Sequence, residues 1–143
     1  MSTAPLNVLL IEDDEIDIEA VQRAFKEQKI LNPIHVARDG VEGLEMMRGE
    51  NGQEKITSPY LILLDINMPR MNGFEFLDVV RADPQLNKSI IFVLTTSSDD
   101  EDKMRAYERH VAGYIVKSRA GIGFLDAVKM LDSYWRVIEL PTE

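Results

Sequence analysis

Four short apolar runs, set apart by segments of helical periodicity, most constrain what this chain can fold into. They are Val8–Ile11, Tyr60–Leu64, Ile90–Leu94 and Tyr114–Val116, and a weaker fifth is Ile34–Ala37. Each is strand-length and rich in β-branched or aromatic residues. A run apolar at every position, such as Tyr60-Leu61-Ile62-Leu63-Leu64, suits a strand buried on both faces, as in a parallel sheet. Between the runs lie helical patterns. Ile16, Ala20 and Ala24 with Val21 and Phe25 predict a first helix, N-capped by Asp14. Val41, Leu44 and Met47 predict a second. Phe74, Leu77 and Val80 predict a third, ending near Asp83-Pro84. A fourth runs to about Arg109 from a cap at Ser98 or Asp99, Ser98 being preferred. Phe124, Val128, Leu131, Trp135 and Ile138 mark a long fifth. Strand then helix, five times over, predicts an α/β fold: a doubly wound five-stranded parallel sheet with right-handed crossovers and helices on both faces.

A chain of 143 residues is long enough for one domain with a real core. The sequence carries no internal repeat or interdomain linker, so a single domain over 1–143 is expected. The polar stretch 49–59 is read as a loop, long for a helix-to-strand connection. The chain ends soon after the fifth helix, and no output domain such as a DNA-binding module is expected. There is no cysteine, which excludes a disulfide framework, a thiol nucleophile and a thiolate zinc site. The N-terminal residues lack the basic flank and apolar stretch of a secretory signal, and no run approaches a membrane span. The cytoplasm is the expected compartment. With 25 acidic against 16 basic residues the net charge is −9, which argues against nonspecific nucleic-acid binding.

The polar residues at the strand ends carry the chemistry. The first strand runs out in Glu12-Asp13, the third in Asp65, the fourth in Thr95 and the fifth in Lys117. In a parallel sheet these ends share one edge, where open α/β folds place their sites. Three carboxylates, a hydroxyl and an ammonium would then converge. Like charges about 4 Å apart at an effective dielectric near 20 cost roughly 4 kcal/mol per pair. A divalent cation removes that repulsion, and an all-oxygen set favours magnesium. Asp65 is then placed as a nucleophile toward phosphorus, giving an aspartyl phosphate. The cation would neutralise developing charge on the phosphoryl oxygens. Lys117 would pair with another of those oxygens and Thr95 donate to a third.

These residues sit in four separated stretches. They are Leu10-Ile11-Glu12-Asp13, Leu64 through Gly73 (Leu-Asp-Ile-Asn-Met-Pro-Arg-Met-Asn-Gly), Val93-Leu94-Thr95-Thr96, and Gly113-Tyr114-Ile115-Val116-Lys117. Together they resemble a response-regulator receiver domain of two-component phosphorelays, over nearly the whole chain. Any one stretch alone is weak; four in the right order at the right strand ends are specific. The resemblance implies a flavodoxin-like (βα)5 fold and makes Asp65 the phosphoacceptor. It also implies that Glu12 and Asp13 bind magnesium, Asp13 more directly, and that the backbone carbonyl of Asn67 completes the metal site. Thr95 becomes the switch hydroxyl, Lys117 the phosphate-pairing lysine and Tyr114 the switch aromatic, while Asn67 and Ser97 lie where dephosphorylation is tuned. The implied partner is a sensor histidine kinase or a phosphotransfer protein. Tyr134-Trp135 with Glu139-Leu140-Pro141, and the long loop before the third strand, resemble single-domain regulators of bacterial phytochrome kinases. One position departs from the pattern: Ser118 follows the lysine where the family carries a cis proline. A non-proline cis bond costs about 2.5–4 kcal/mol, so either that cost is borne or the loop is rearranged.

Blander readings accompany each of these. Glu12 through Glu15 also suits a helix N-terminus favoured by the macrodipole, with Asp14 and Glu15 purely structural. Asp99 through Asp102 reads as a solvated first helical turn. His35 and His110 lack any ligand pattern. A magnesium-dependent aspartyl-phosphate phosphatase of the haloacid-dehalogenase kind needs an aspartate two residues after the nucleophile, where this chain has Asn67. A degenerate receiver, acting as a phosphate-independent interaction module, is the other alternative. Tyr134, Trp135 and Ile138 extend past what a single domain must cover, so a homodimer through the fifth helix and the tail is expected.

Overall fold

The structure, a computed structural model, describes residues 6–68, 70–117, 129, 130 and 133. Five strands alternate with four helices over residues 7–116: β1 (Asn7–Ile11), α1 (Glu15–Glu27), β2 (Ile34–Ala37), α2 (Gly40–Arg48), β3 (Tyr60–Leu64), α3 (Gly73–Ala82), β4 (Ile90–Thr95), α4 (Asp100–Glu108) and β5 (Gly113–Val116). All strand pairs are parallel, in the order β2-β1-β3-β4-β5. The α/β architecture expected from the apolar runs is therefore present. Successive residues of a strand point to opposite faces. In β1, Leu9 and Ile11 join one core, with Ile62, Leu64, Ile91 and Val93 and with Leu44, Met47, Phe76, Leu77 and Val80 of α2 and α3. Val8 and Leu10 join the other, with Leu61, Leu63, Phe92 and Leu94 and with Ile18, Val21, Ala24 and Phe25 of α1. Cores on both faces are why β1, β3 and β4 are apolar at nearly every position. Each fully buried Leu, Ile or Phe contributes about 1.5–3 kcal/mol.

Two local expectations are corrected. Ile16 was expected on the buried face of the first helix but is 77% exposed, and Ile18 takes that place. Ile16 lies nine residues before Phe25, half a turn out of phase at 100° per residue, whereas Ile18 and Val21 lie seven and four before it. The fourth helix is capped by Asp99, whose carboxylate accepts the Glu101 N–H at 2.7 Å, and not by Ser98. A carboxylate gains from the helix dipole at that end as well as from the hydrogen bond. Of the predicted fifth helix, Lys129, Met130 and Ser133 are helical and exposed. Phe124, Val128, Leu131, Tyr134, Trp135 and Ile138 lie outside the described residues, as does Ser118. No helix among the described residues is long and apolar enough to cross a membrane.

Candidate functional site

The strand order reverses at β1, whose successor β2 lies on one side and β3 on the other. The crevice at such a switch point opens beyond the carboxyl ends of the strands. Glu12 and Asp13 leave β1 there, and Asp65 leaves β3 beside them. The Asp65 N–H donates to the Ile11 carbonyl at 3.0 Å, and the Glu12 N–H to the Ala37 carbonyl at 2.9 Å, so sheet hydrogen bonding aligns the first residue past each strand. After Asp65 the chain turns tightly into α3. Gly73 permits this approach, because a Cβ there would stand 2.5 Å from the Ile66 Cα. Asn72 then caps α3 through a complete capping box with Glu75.

Three carboxylates converge as expected. One oxygen each from Glu12, Asp13 and Asp65 lies within 4.8 Å of the other two. Glu12 and Asp65 are buried, 2% and 6% exposed, while Asp13 is open to solvent. Asp65 is thus no solvated rim residue. Lys117 reaches in from the end of β5, its Nζ donating to Glu12 Oε1 at 2.5 Å and to Asp17 Oδ2 at 2.8 Å. Burial pushes the Glu12 carboxyl up to about 7, against the hydrogen bond from Lys117 and helped by the charge on Asp65. Burial likewise raises Asp65, although Lys117 and the Asn67 N–H, at 3.3 Å from Oδ1, act the other way. Burial alone would lower Lys117, but Asp17, Glu12 and Asp65 together hold it charged. Among the described residues one ammonium faces these acids, which leaves the donor set under-compensated there. That deficit fits a hard divalent cation held by oxygen ligands, with Asp13 the ligand most open to it.

Thr95 and Tyr114 make their contacts elsewhere. Thr95 is fully buried at the last position of β4, in register with Val116, and its Oγ1 accepts the Ser97 N–H at 3.3 Å. The Tyr114 hydroxyl donates to the Ser97 carbonyl at 3.0 Å, and the Ser97 hydroxyl donates to Asp102 Oδ2 of α4 at 2.7 Å. Ser97 therefore joins both expected switch side chains to the first turn of α4. Asn67 is exposed beside Asp65 and lines a cleft of about 460 Å³ shared with Met68, Phe74 and Arg105. Sequence reasoning missed Asp17. An acid in a first helical turn reads as dipole compensation, and nothing in the local sequence points it toward a lysine 100 residues away.

The response regulator receiver domain family matches residues 8–129. The chain is 33% identical over 141 residues to response regulator Rcp1 of Synechocystis sp., covering 98% of this chain and 96% of that protein. The crystal structure of the Mn(2+)-bound form of Rcp1 superposes with a TM-score of 0.84 at 33% identity, over 96% of this chain and 99% of that one. That of the phosphorylated cyanobacterial phytochrome response regulator RcpA gives 0.83 at 32% identity, over 96% and 99%.

Proposed function

Because the chain belongs to the response regulator receiver domain family, we propose that it is a phosphorylatable signalling switch whose phosphoacceptor is Asp65. The observation that carries this reading is the meeting of buried Glu12 and Asp65 with the solvent-exposed Asp13, with one ammonium among the described residues, Lys117, beside them. In the reaction an Asp65 Oδ attacks the phosphorus of a phosphohistidine. A P–O bond forms as the P–N bond breaks, and the imidazole nitrogen leaves with the electron pair and is protonated from solvent. Asp13, Glu12, Asp65 and the Asn67 backbone carbonyl would hold magnesium, which when bound neutralises charge on the phosphoryl oxygens. Lys117 pairs with one phosphoryl oxygen as a point charge, and the Thr95 hydroxyl donates to another. Movement of Thr95 toward the phosphoryl group withdraws it from Ser97 and biases the surface built around Tyr114 and α4.

A receiver domain implies a histidine kinase or phosphotransfer protein as phosphodonor. Resemblance to Rcp1 and to the phytochrome response regulator RcpA supports a bacterial phytochrome kinase in that role, within the cytoplasm. A homodimer through the fifth helix and the tail belongs to the same reading, supported by Met130 of that helix at 46% exposure. Light scattering with and without phosphoryl group tests it, and a monomer under both conditions refutes it. The main test is incubation with magnesium and acetyl phosphate, followed by mass spectrometry of the intact protein. An adduct that disappears in Asp65→Asn is the expected result. No adduct under saturating donor would identify a phosphate-independent interaction module, and rapid turnover of small phosphate esters an enzyme.

A further inference from the structure

Asp17 stands apart from the three converging carboxylates, yet its side chain is committed to the site. It is the third residue of α1, three after the N-cap Asp14. At the same position of α3, Glu75 closes the capping box by accepting the Asn72 N–H at 2.9 Å. In α1 that task goes to Glu12, whose Oε2 accepts the Asp14 N–H at 3.2 Å. The Asp17 carboxylate is thereby free of capping and turns to Lys117 at 2.8 Å. The Lys117 side chain is only 10% exposed, and among the described residues its ion pairs are with Glu12 and Asp17, not with Asp65.

We propose that Asp17 is a positioning residue for Lys117, holding the ammonium at the sheet edge so that one N–H stays directed to the incoming phosphoryl group. An ammonium has three donors; Glu12 and Asp17 take two, and among the described residues no acceptor takes the third, which would serve a phosphoryl oxygen. Of its two partners, Glu12 also belongs to the cation-binding set. When Glu12 turns its charge to a metal ion, Asp17 is the partner that remains with Lys117. Preorganised charge at the place where phosphoryl charge develops is what accelerates such a step. This inference rests on the phosphoacceptor reading above.

The test measures initial rates of adduct formation with magnesium and acetyl phosphate, by mass spectrometry of the intact protein. Asp17→Asn is expected to slow the reaction roughly tenfold, less than the roughly hundredfold that a misplacement of about 1 Å can cost because Glu12 still holds Lys117, while magnesium affinity by calorimetry stays unchanged. Glu15→Gln removes the same charge from the same helical turn and is expected to react at the wild-type rate. The deciding comparison is a double-mutant cycle. In a Lys117→Gln background, followed over hours, adding Asp17→Asn should cost nothing further. Wild-type rates in Asp17→Asn, or an equal slowing in both backgrounds, would overturn the proposal while leaving Asp65 as phosphoacceptor intact. A wild-type protein that takes no phosphoryl group sinks the underlying reading, and this inference with it.

Discussion

The carboxyl edge of the sheet has two halves built on opposite principles. At the ends of β1 and β3, Glu12, Asp13 and Asp65 crowd together, and Lys117 is shared with a further acid, Asp17. At the end of β4, Thr95 and Ser97 meet Tyr114 of β5 through neutral hydrogen bonds, with the carboxylates of Asp102 and Asp99 at the margin. The first half is electrostatically incomplete by itself; the second is satisfied. A buried charge lacking partners is far more costly than a buried hydroxyl that has one. On the proposed function, the charged half is the one to change state when a cation and a phosphoryl group arrive. The neutral half would change only by exchanging one hydrogen bond for another, which suits it to respond to the first rather than to initiate.

The sharpest way to break this contrast is to remove charge from the crowded half. Asp65→Asn is expected to abolish the phosphoryl adduct completely, read by mass spectrometry. Because burial raises the Asp65 pKa, the same change should raise the Tm of the metal-free protein at neutral pH. A lower Tm would mean that the acids are well compensated in the folded protein. Asp13→Asn comes next. A lost supporting contact to a metal ligand typically costs roughly 10–100-fold in affinity, and loss of a direct ligand is expected to cost no less. Magnesium titration calorimetry measures it, and affinity equal to wild type would remove Asp13 from the cation site.

Acidity sharpens the comparison further. The folded Glu12 carboxyl titrates near 7, above its ordinary 4.5. An acid raised on folding contributes stability that is complete below its unfolded value and is lost as pH rises through its folded value. In the metal-free protein, then, Glu12 favours the folded state less as pH climbs from about 4.5 to about 7, and Asp65, raised by burial, acts in the same direction. On the proposed function a metal ion held by Glu12 would reverse the sign, since a carboxylate ligand must be without its proton. The Tm increase produced by magnesium is expected to be larger at pH 8 than at pH 6, with proton release on binding at the lower pH. Equal increments at the two values would show that Glu12 takes no part in binding.

The sequence announced the charged half more plainly than the neutral one. Carboxylates directly after runs such as Tyr60–Leu64 are conspicuous, because a strand buried on both faces leaves its next residue at a sheet edge. The parallel topology follows from the same runs, whose alternate residues divide between two cores. What could not be read was the direction of individual side chains. Ile16 fits an i, i+4 row with Ala20 and Ala24, but such a row drifts round the helix by 40° per step, and its first member reaches solvent. Asp17 and Glu75 both occupy the third position of an acidic helical turn. Which one caps its helix and which pairs with a lysine depends on Glu12, a residue outside both helices. Ser97 was read as a tuning position, but its joining of Thr95, Tyr114 and Asp102 depends on three elements meeting, which no local pattern encodes.

The smallest expected effect probes the neutral half. Tyr114→Phe deletes one hydroxyl and with it the hydrogen bond to the Ser97 carbonyl. A neutral hydrogen bond contributes about 0.5–1.5 kcal/mol net, and Tyr114 is only half-buried, so water can take over part of the exposed carbonyl. Urea denaturation should therefore register a loss near the lower end of that range. Adduct formation at Asp65 should stay within about twofold of wild type, since a reaction unaffected by this bond leaves its barrier unchanged. Thr95→Ala tests the same half more severely. It removes the acceptor of the Ser97 N–H and also the proposed donor to the phosphoryl group. If Tyr114→Phe slowed phosphorylation as much as Thr95→Ala does, the two halves would be one coupled unit, and the neutral half would share in the chemistry instead of following it.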